Sequence, residues 1–367
     1  MFVYGNMPPG KTCHYCQYTF TLSVKAPLTM KQVVLPIAAM LLLFAACRQE
    51  PVTVKFRGKA MGTYYEATYL SENGYVNYQP QIDSVLAVFN ESLSTYSPTS
   101  IVSKVNQANA GDTIPVDDMF ATVFTKSVEV NQKSGGAFDP SVMPLVNAWG
   151  FGYQKNPPPV DSAMVDSLLK LVDLASFTLL KNPWRMVKGK QNTQLDFNAI
   201  AQGYGVDVVC EFLEKQNIHN YLVDIGGELR ARGQNAKFEP WTVGIDKPID
   251  TLKEREVQEI VRLRDMSIST SGNYRKFYIK DGVKYAHTID PKTGRPKLSN
   301  LLSVSVFNPQ CITADAYATA FMVMGYEKAR NFAEAEPALN ALFIYSDEQG
   351  NLKTYYTPGV EVVTNKP

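Results

Sequence analysis

Two oxygen-bearing side chains, Asp315 and Thr319, stand four residues apart in TADAYATAFMVMG, where the chain turns apolar. Residues at that spacing share one face of a helix. A carboxylate and a hydroxyl presented together suit a hard cation such as Mg2+, which takes oxygen ligands and keeps waters and phosphates as the rest of its shell. The same residues also fit a plain helix start, with Thr313 as the cap and Asp315 in the first turn. That reading leaves Thr319 without a role. Spacing alone does not choose between them.

Three further stretches carry chemistry. Of the three histidines, His14 lies in a leader segment and His219 in the polar turn KQNIHN. His287, in YAHTIDPKTGRP, is the one placed to act as a base near neutral pH, or else simply packs at a strand end. Asp139 follows two glycines in GGAFDPSVMPLVNAWGFG. Gly135 and Gly136 let a ligand approach the backbone closely, and they equally suit a helix C-cap. In QLDFNAIAQGYGVDVV, Asp196 is expected to end a strand, with a helix starting at about 198. Such an N-terminus seats phosphate, although Asp196 or Asn198 could equally serve as its cap. Gly203 and Gly205 weaken that helix, which implies close packing against a strand or a ligand.

The elements expected to position these residues are mixed. Residues 51–70 alternate with period two and read as strand, and 80–93 and 116–134 read as helices. A proline-rich loop at 153–162 precedes a helix near Asp161, and another helix covers 198–216. YLVDIGGELRARG and WTVGIDK read as neighbouring strands. RKFYIKDGVKYAHTID reads as a hairpin turning at Asp281-Gly282, LLSVSVF as a buried strand, and ALFIYSDEQGNLKTYYT as a last hairpin. Hairpins with helices in blocks indicate an α+β fold.

The 36 basic and 35 acidic residues give a net charge of +1, so no basic field exists to gather nucleic acid. Neither G-x-G-x-x-G nor a Walker sequence occurs. From Met30 the chain reads MKQVVLPIAAMLLLFAAC, an apolar run too short to span a bilayer comfortably. It is expected to be a signal peptide (30–46), and FAAC resembles a bacterial lipoprotein box that lipidates Cys47. Met30 is then the expected start, which leaves residues 1–29, with Cys13 and Cys16, as an untranslated leader. The mature chain, 47–367, is expected to be one domain. Cys210 and Cys311 either pair or remain buried thiols.

Taken together, MGT at 61–63, LSTYSPTS at 93–100, GAFDPSVMPLVNAWGFG, LDFNAIAQGYGVD, LVDIGGELRARG, SISTSGNYR, HTIDPKTGRP and TADAYATAFMVMG resemble the ApbE family of flavin transferases. They occur in that family's order across roughly residues 55–325. The resemblance implies an α+β, T-fold-like architecture of mostly antiparallel sheets with packed helices. It implies a periplasm-facing lipoprotein that uses Mg2+ to cleave FAD, release AMP and join FMN to a Ser or Thr of a partner protein, expected to be a membrane electron-transfer subunit. Carried over by motif, Asp315, Thr319 and the Ala199 carbonyl would bind the metal. Met61, Tyr96, Ala137, Phe138, Asp139, Asp196, Gln202 and Ile289 would line the FAD site, and His287 would be the base. Two positions depart from the pattern: Gln202 stands where Lys is common, and Asp224 where Asn is frequent. The rival readings are an FAD pyrophosphatase yielding FMN and AMP, and a lipoprotein that only binds flavin.

Overall fold

A computed structural model describes residues 50–153, 157–249, 256–273, 277–280, 283–297 and 299–363. Everything below lies in the compact unit Pro51–Pro367. Eight strands form the main sheet in the order Val52–Ala60, Thr63–Ser71, Tyr221–Ile225, Glu228–Arg232, Met266–Gly272, Leu301–Asn308, Asn340–Ser346 and Leu352–Tyr356. Every neighbouring pair is antiparallel. Helices pack on the sheet, which is the α+β architecture expected.

Several boundaries differ from the sequence reading. Residues 51–70 are two strands, because Met61 and Gly62 adopt φ of 53° and 73° and close a two-residue turn with Ala60 opposite Thr63. That geometry is the left-handed turn which matches strand twist; a Met at its first position masks the usual Asn-Gly or Asp-Gly signal. The strand Trp241–Asp246 leaves the main sheet and pairs with Val257–Leu263 instead. Strands Phe277–Lys280 and Val283–Ala286 pair as the predicted hairpin, while its expected turn at Asp281-Gly282 lies outside the described residues. The signal segment, Cys47, His14, Cys13 and Cys16 also lie outside them. Cys210 and Cys311 are buried free thiols.

The helix Cys311–Met324 runs through the middle of the core. Only Thr319 and Met324 in it are not fully buried, and a helix that is apolar on all sides belongs inside a domain. It packs against the helix Ala201–Lys215 and against strands Met266–Gly272 and Leu301–Asn308. No helix among the described residues is long and apolar enough to cross a membrane.

Candidate active site

The central helix begins at Cys311, three residues earlier than a cap at Thr313 would place it. Gln310 occupies the N-cap without a side-chain bond, so Thr313 is not the cap. The first-turn amides of Cys311 and Ile312 instead donate to the Asp207 carboxylate, at 3.0 and 2.8 Å. Asp315 therefore falls in the second turn, where the helix dipole no longer explains it.

What Asp315 does is take the N–H of Gly203 at 2.8 Å on one oxygen and the Ser269 hydroxyl at 3.2 Å on the other. The Gly203 amide is the one that would close a helical turn on the Ala199 carbonyl four residues back. Its diversion to Asp315 keeps that carbonyl out of the helical ladder. Among the described residues the Thr319 hydroxyl has a single long contact, 3.5 Å, to Ser271. Asp315, Thr319 and Ala199 line one cleft, and a carboxylate, a hydroxyl and a main-chain carbonyl make an oxygen-only set of the kind Mg2+ takes. Among the described residues no three His, Cys, Asp or Glu side chains converge, so the nitrogen- and sulfur-rich set of a zinc site is absent there. Burial pushes the Asp315 carboxyl up to about 6, against bonds from Gly203 and Ser269 that favour the charged form.

These groups line a cleft of about 1480 Å³. Met61, Tyr96, Ala137, Phe138, Asp139, Asp196, Ala199, Gln202, His287, Ile289, Asp315 and Thr319 all line it. So do Asp224, Glu228 and Asp246, and among the described residues no Lys or Arg lines it. Carboxylates so placed favour a phosphorylated ligand that brings a cation with it.

Local structure explains each placement. Met61 sits in the strained turn and lays its sulfur against Gly205, where a Cβ would stand 3.1 Å from it. Gly203 has a stricter reason: a Cβ there would lie 2.4 Å from the Cys311 carbonyl oxygen and 2.6 Å from the Asp315 Cβ. The close approach foreseen from these glycines is therefore to a turn and a second helix. Gly135 and Gly136 follow the end of the helix Asp118–Lys133 with positive φ, as the C-cap reading has it. Asp139 caps the short turn Pro140–Val142 by accepting from the Ser141 amide and hydroxyl, and burial raises its carboxyl above the usual range. His287 is half-buried with Phe151 edge-on, ring centroids 6.4 Å apart. Ile289 is buried beside Leu145 and Trp149, and Tyr96 is exposed at the rim.

Asp196 corrects the sequence reading. It lies in an irregular segment rather than at a strand end, and the helix that follows starts at Ala201 with Ile200 as N-cap. Asp196 accepts from the Asn198 amide at 2.9 Å, a local turn. Two amides of the helix start are committed inside the protein, Ala201 to the Phe197 carbonyl and Gly203 to Asp315, so this terminus is a poorer phosphate seat than expected.

Burial pushes the Asp196 carboxyl from 3.8 up to about 6. Between those values the native chain holds a proton that the unfolded chain has released, so stability falls as pH rises through the window. Asp196→Asn should therefore stabilise the ligand-free protein by up to about 3 kcal/mol at pH 8. At pH 4 the gain should vanish. Thermal unfolding at pH 4, 6 and 8 checks this, and a gain independent of pH would refute it.

Sequence reasoning missed Asp207, Ser269 and Ser271. The two serines belong to a period-two hydroxyl pattern in SISTSG that puts them on the helix-facing side of their strand. Asp207 carried no signal, being one acid on a predicted helix.

The profile of the ApbE family matches residues 61–343 of this chain. A curated protein of Vibrio cholerae named FAD:protein FMN transferase is 37% identical over 315 residues, covering 84% of this chain and 93% of its own length. Its namesake in Haemophilus influenzae is 36% identical, covering 84% and 91%. Among solved structures, the flavin transferase ApbE from Vibrio cholerae superimposes with a TM-score of 0.76 at 35% identity, covering 84% of this chain and 98% of that one.

Proposed function

The chain belongs to the ApbE family, and on that premise we propose that it is an FAD:protein FMN transferase, moving FMN from FAD to a partner protein. The observation that carries the reading is a cleft rich in carboxylates that Asp315, Thr319 and Ala199 line together, an oxygen set suited to a cation that accompanies a diphosphate. Mg2+ bound there would neutralise charge on the diphosphate and on the departing AMP.

The chain's own residues do the rest. Asp315, held by Gly203 and Ser269, presents a fixed carboxylate; Thr319 presents its hydroxyl one turn on. Met61, Tyr96, Ala137, Phe138, Asp139, Asp196, Gln202 and Ile289 enclose FAD. The acceptor's Ser or Thr oxygen attacks the FMN phosphorus, forming a new P–O bond as the bond to the AMP phosphate oxygen breaks. His287 takes the hydroxyl proton. The signal segment before Cys47 supports a lipid-anchored, periplasm-facing enzyme, and we take its acceptor to be a membrane electron-transfer subunit.

Incubation with FAD, Mg2+ and a flavin-accepting domain tests the reading. In-gel fluorescence on the acceptor is the expected result. Free FMN and AMP with an unlabelled acceptor would establish a pyrophosphatase, and intact FAD would leave only a binding protein.

A further inference from the structure

We propose that Asp207 is the positioning residue for the metal-binding oxygens, acting as half of a reciprocal clamp between two helices. The inference rests on the metal reading above. Asp207 does not line the cleft, so it touches no substrate. Its carboxylate accepts the Cys311 amide on Oδ1 at 3.0 Å and the Ile312 amide on Oδ2 at 2.8 Å. One turn earlier on the same helix, the Gly203 amide donates to Asp315 Oδ2 at 2.8 Å. One turn separates Cys311 from Asp315 as well. The two helices are therefore tied twice, four residues apart, with donor and acceptor exchanged.

The consequence is register. The first tie fixes where the central helix begins, and with it the height of Asp315 and Thr319. The second turns the Gly203 amide away from Ala199, so the same contact that orients the carboxylate keeps the carbonyl accessible. No side chain at Gly203 intervenes, because a Cβ would strike the Cys311 carbonyl. Asp207 is held in turn by Arg230, whose Nη1 donates to Oδ1 at 2.9 Å while its Nη2 reaches Glu214 at 3.4 Å. A side chain capping a helix end from another helix, in place of the local N-cap, is an unusual use of a buried acid. Groups that orient metal ligands without touching the metal control affinity strongly.

A buried ion pair that only stabilises the fold would look similar, so the test must separate the two. Mn2+ binding to the full chain with FAD present is read from the electron paramagnetic resonance signal of free aqueous Mn2+, beside thermal unfolding. Asp207→Asn and Asp207→Glu should each weaken Mn2+ binding by about 10–100-fold. A through-space charge effect would spare Asp207→Glu, which keeps the charge and displaces the carboxylate. Arg230→Met should lower the unfolding temperature but weaken Mn2+ binding less than either Asp207 variant, because it leaves both amide donors and the carboxylate in place. Wild-type affinity in folded Asp207→Asn would overturn the proposal, and so would an equal loss in Arg230→Met. A wild-type protein that binds no Mn2+, or binds it equally well as Asp315→Ala, would overturn the metal reading instead.

Discussion

Asp315→Ala is expected to lower FMN transfer by about 10³-fold, since a bound metal supplies several kcal/mol at a phosphoryl centre. The loss should exceed the removal of one ligand. With the carboxylate gone, the Gly203 amide is released to bond the Ala199 carbonyl in the ordinary helical pattern. The substitution thereby removes one oxygen and occupies a second. The fold should survive, because the position is buried, alanine suits a helix interior, and the acid there is held at a cost that burial imposes. Asp315→Asn offers a sharper comparison: it can still accept from Gly203, so the Ala199 carbonyl stays accessible while the negative charge is lost. Transfer measured against Mg2+ concentration checks the series, with the order wild type, Asn, Ala. Wild-type turnover in Asp315→Ala, with circular dichroism unchanged, would remove the metal from this site.

Much of this site could be read from the sequence because its chemistry is local. Asp315 and Thr319 share a helix face by spacing alone, and part of the antiparallel sheet follows from the strand signal at 301–307 and the hairpin signal at 341–357. What stayed hidden is non-local. Asp207 caps a helix that starts 104 residues later. The Gly203 amide finds an acceptor 112 residues away. No periodicity reports such pairings. The glycine did leave a trace, since glycine inside a helix costs stability and asks for a packing reason. Its partner, a second helix at van der Waals distance, could not be named from the sequence. The turn at Met61 stayed hidden for the opposite reason: a side chain occupies a conformation that usually selects glycine or asparagine. The strain is borne where the residue lines the cleft and its sulfur meets Gly205.

His287→Ala should leave FAD binding intact and reduce transfer by about 10²–10⁴-fold, the usual worth of a positioned proton acceptor. This histidine has little freedom. Immediately after it, the Thr288 hydroxyl donates to Asn273 Oδ1 at 2.9 Å, and the Thr288 carbonyl accepts the Lys297 amide at 2.8 Å. The backbone leaving His287 is thus pinned on both sides, and Phe151 meets the imidazole edge-on at 68° between ring planes. A base so held can meet an incoming hydroxyl without reordering, which is where positioning lowers a barrier. Binding and chemistry must be measured apart: FAD titration for the first, and single-turnover labelling of the acceptor for the second. If His287 holds the proton, added imidazole should restore part of the labelling rate that His287→Ala loses. If His287 only packs, labelling should fall together with FAD affinity, and imidazole should restore nothing.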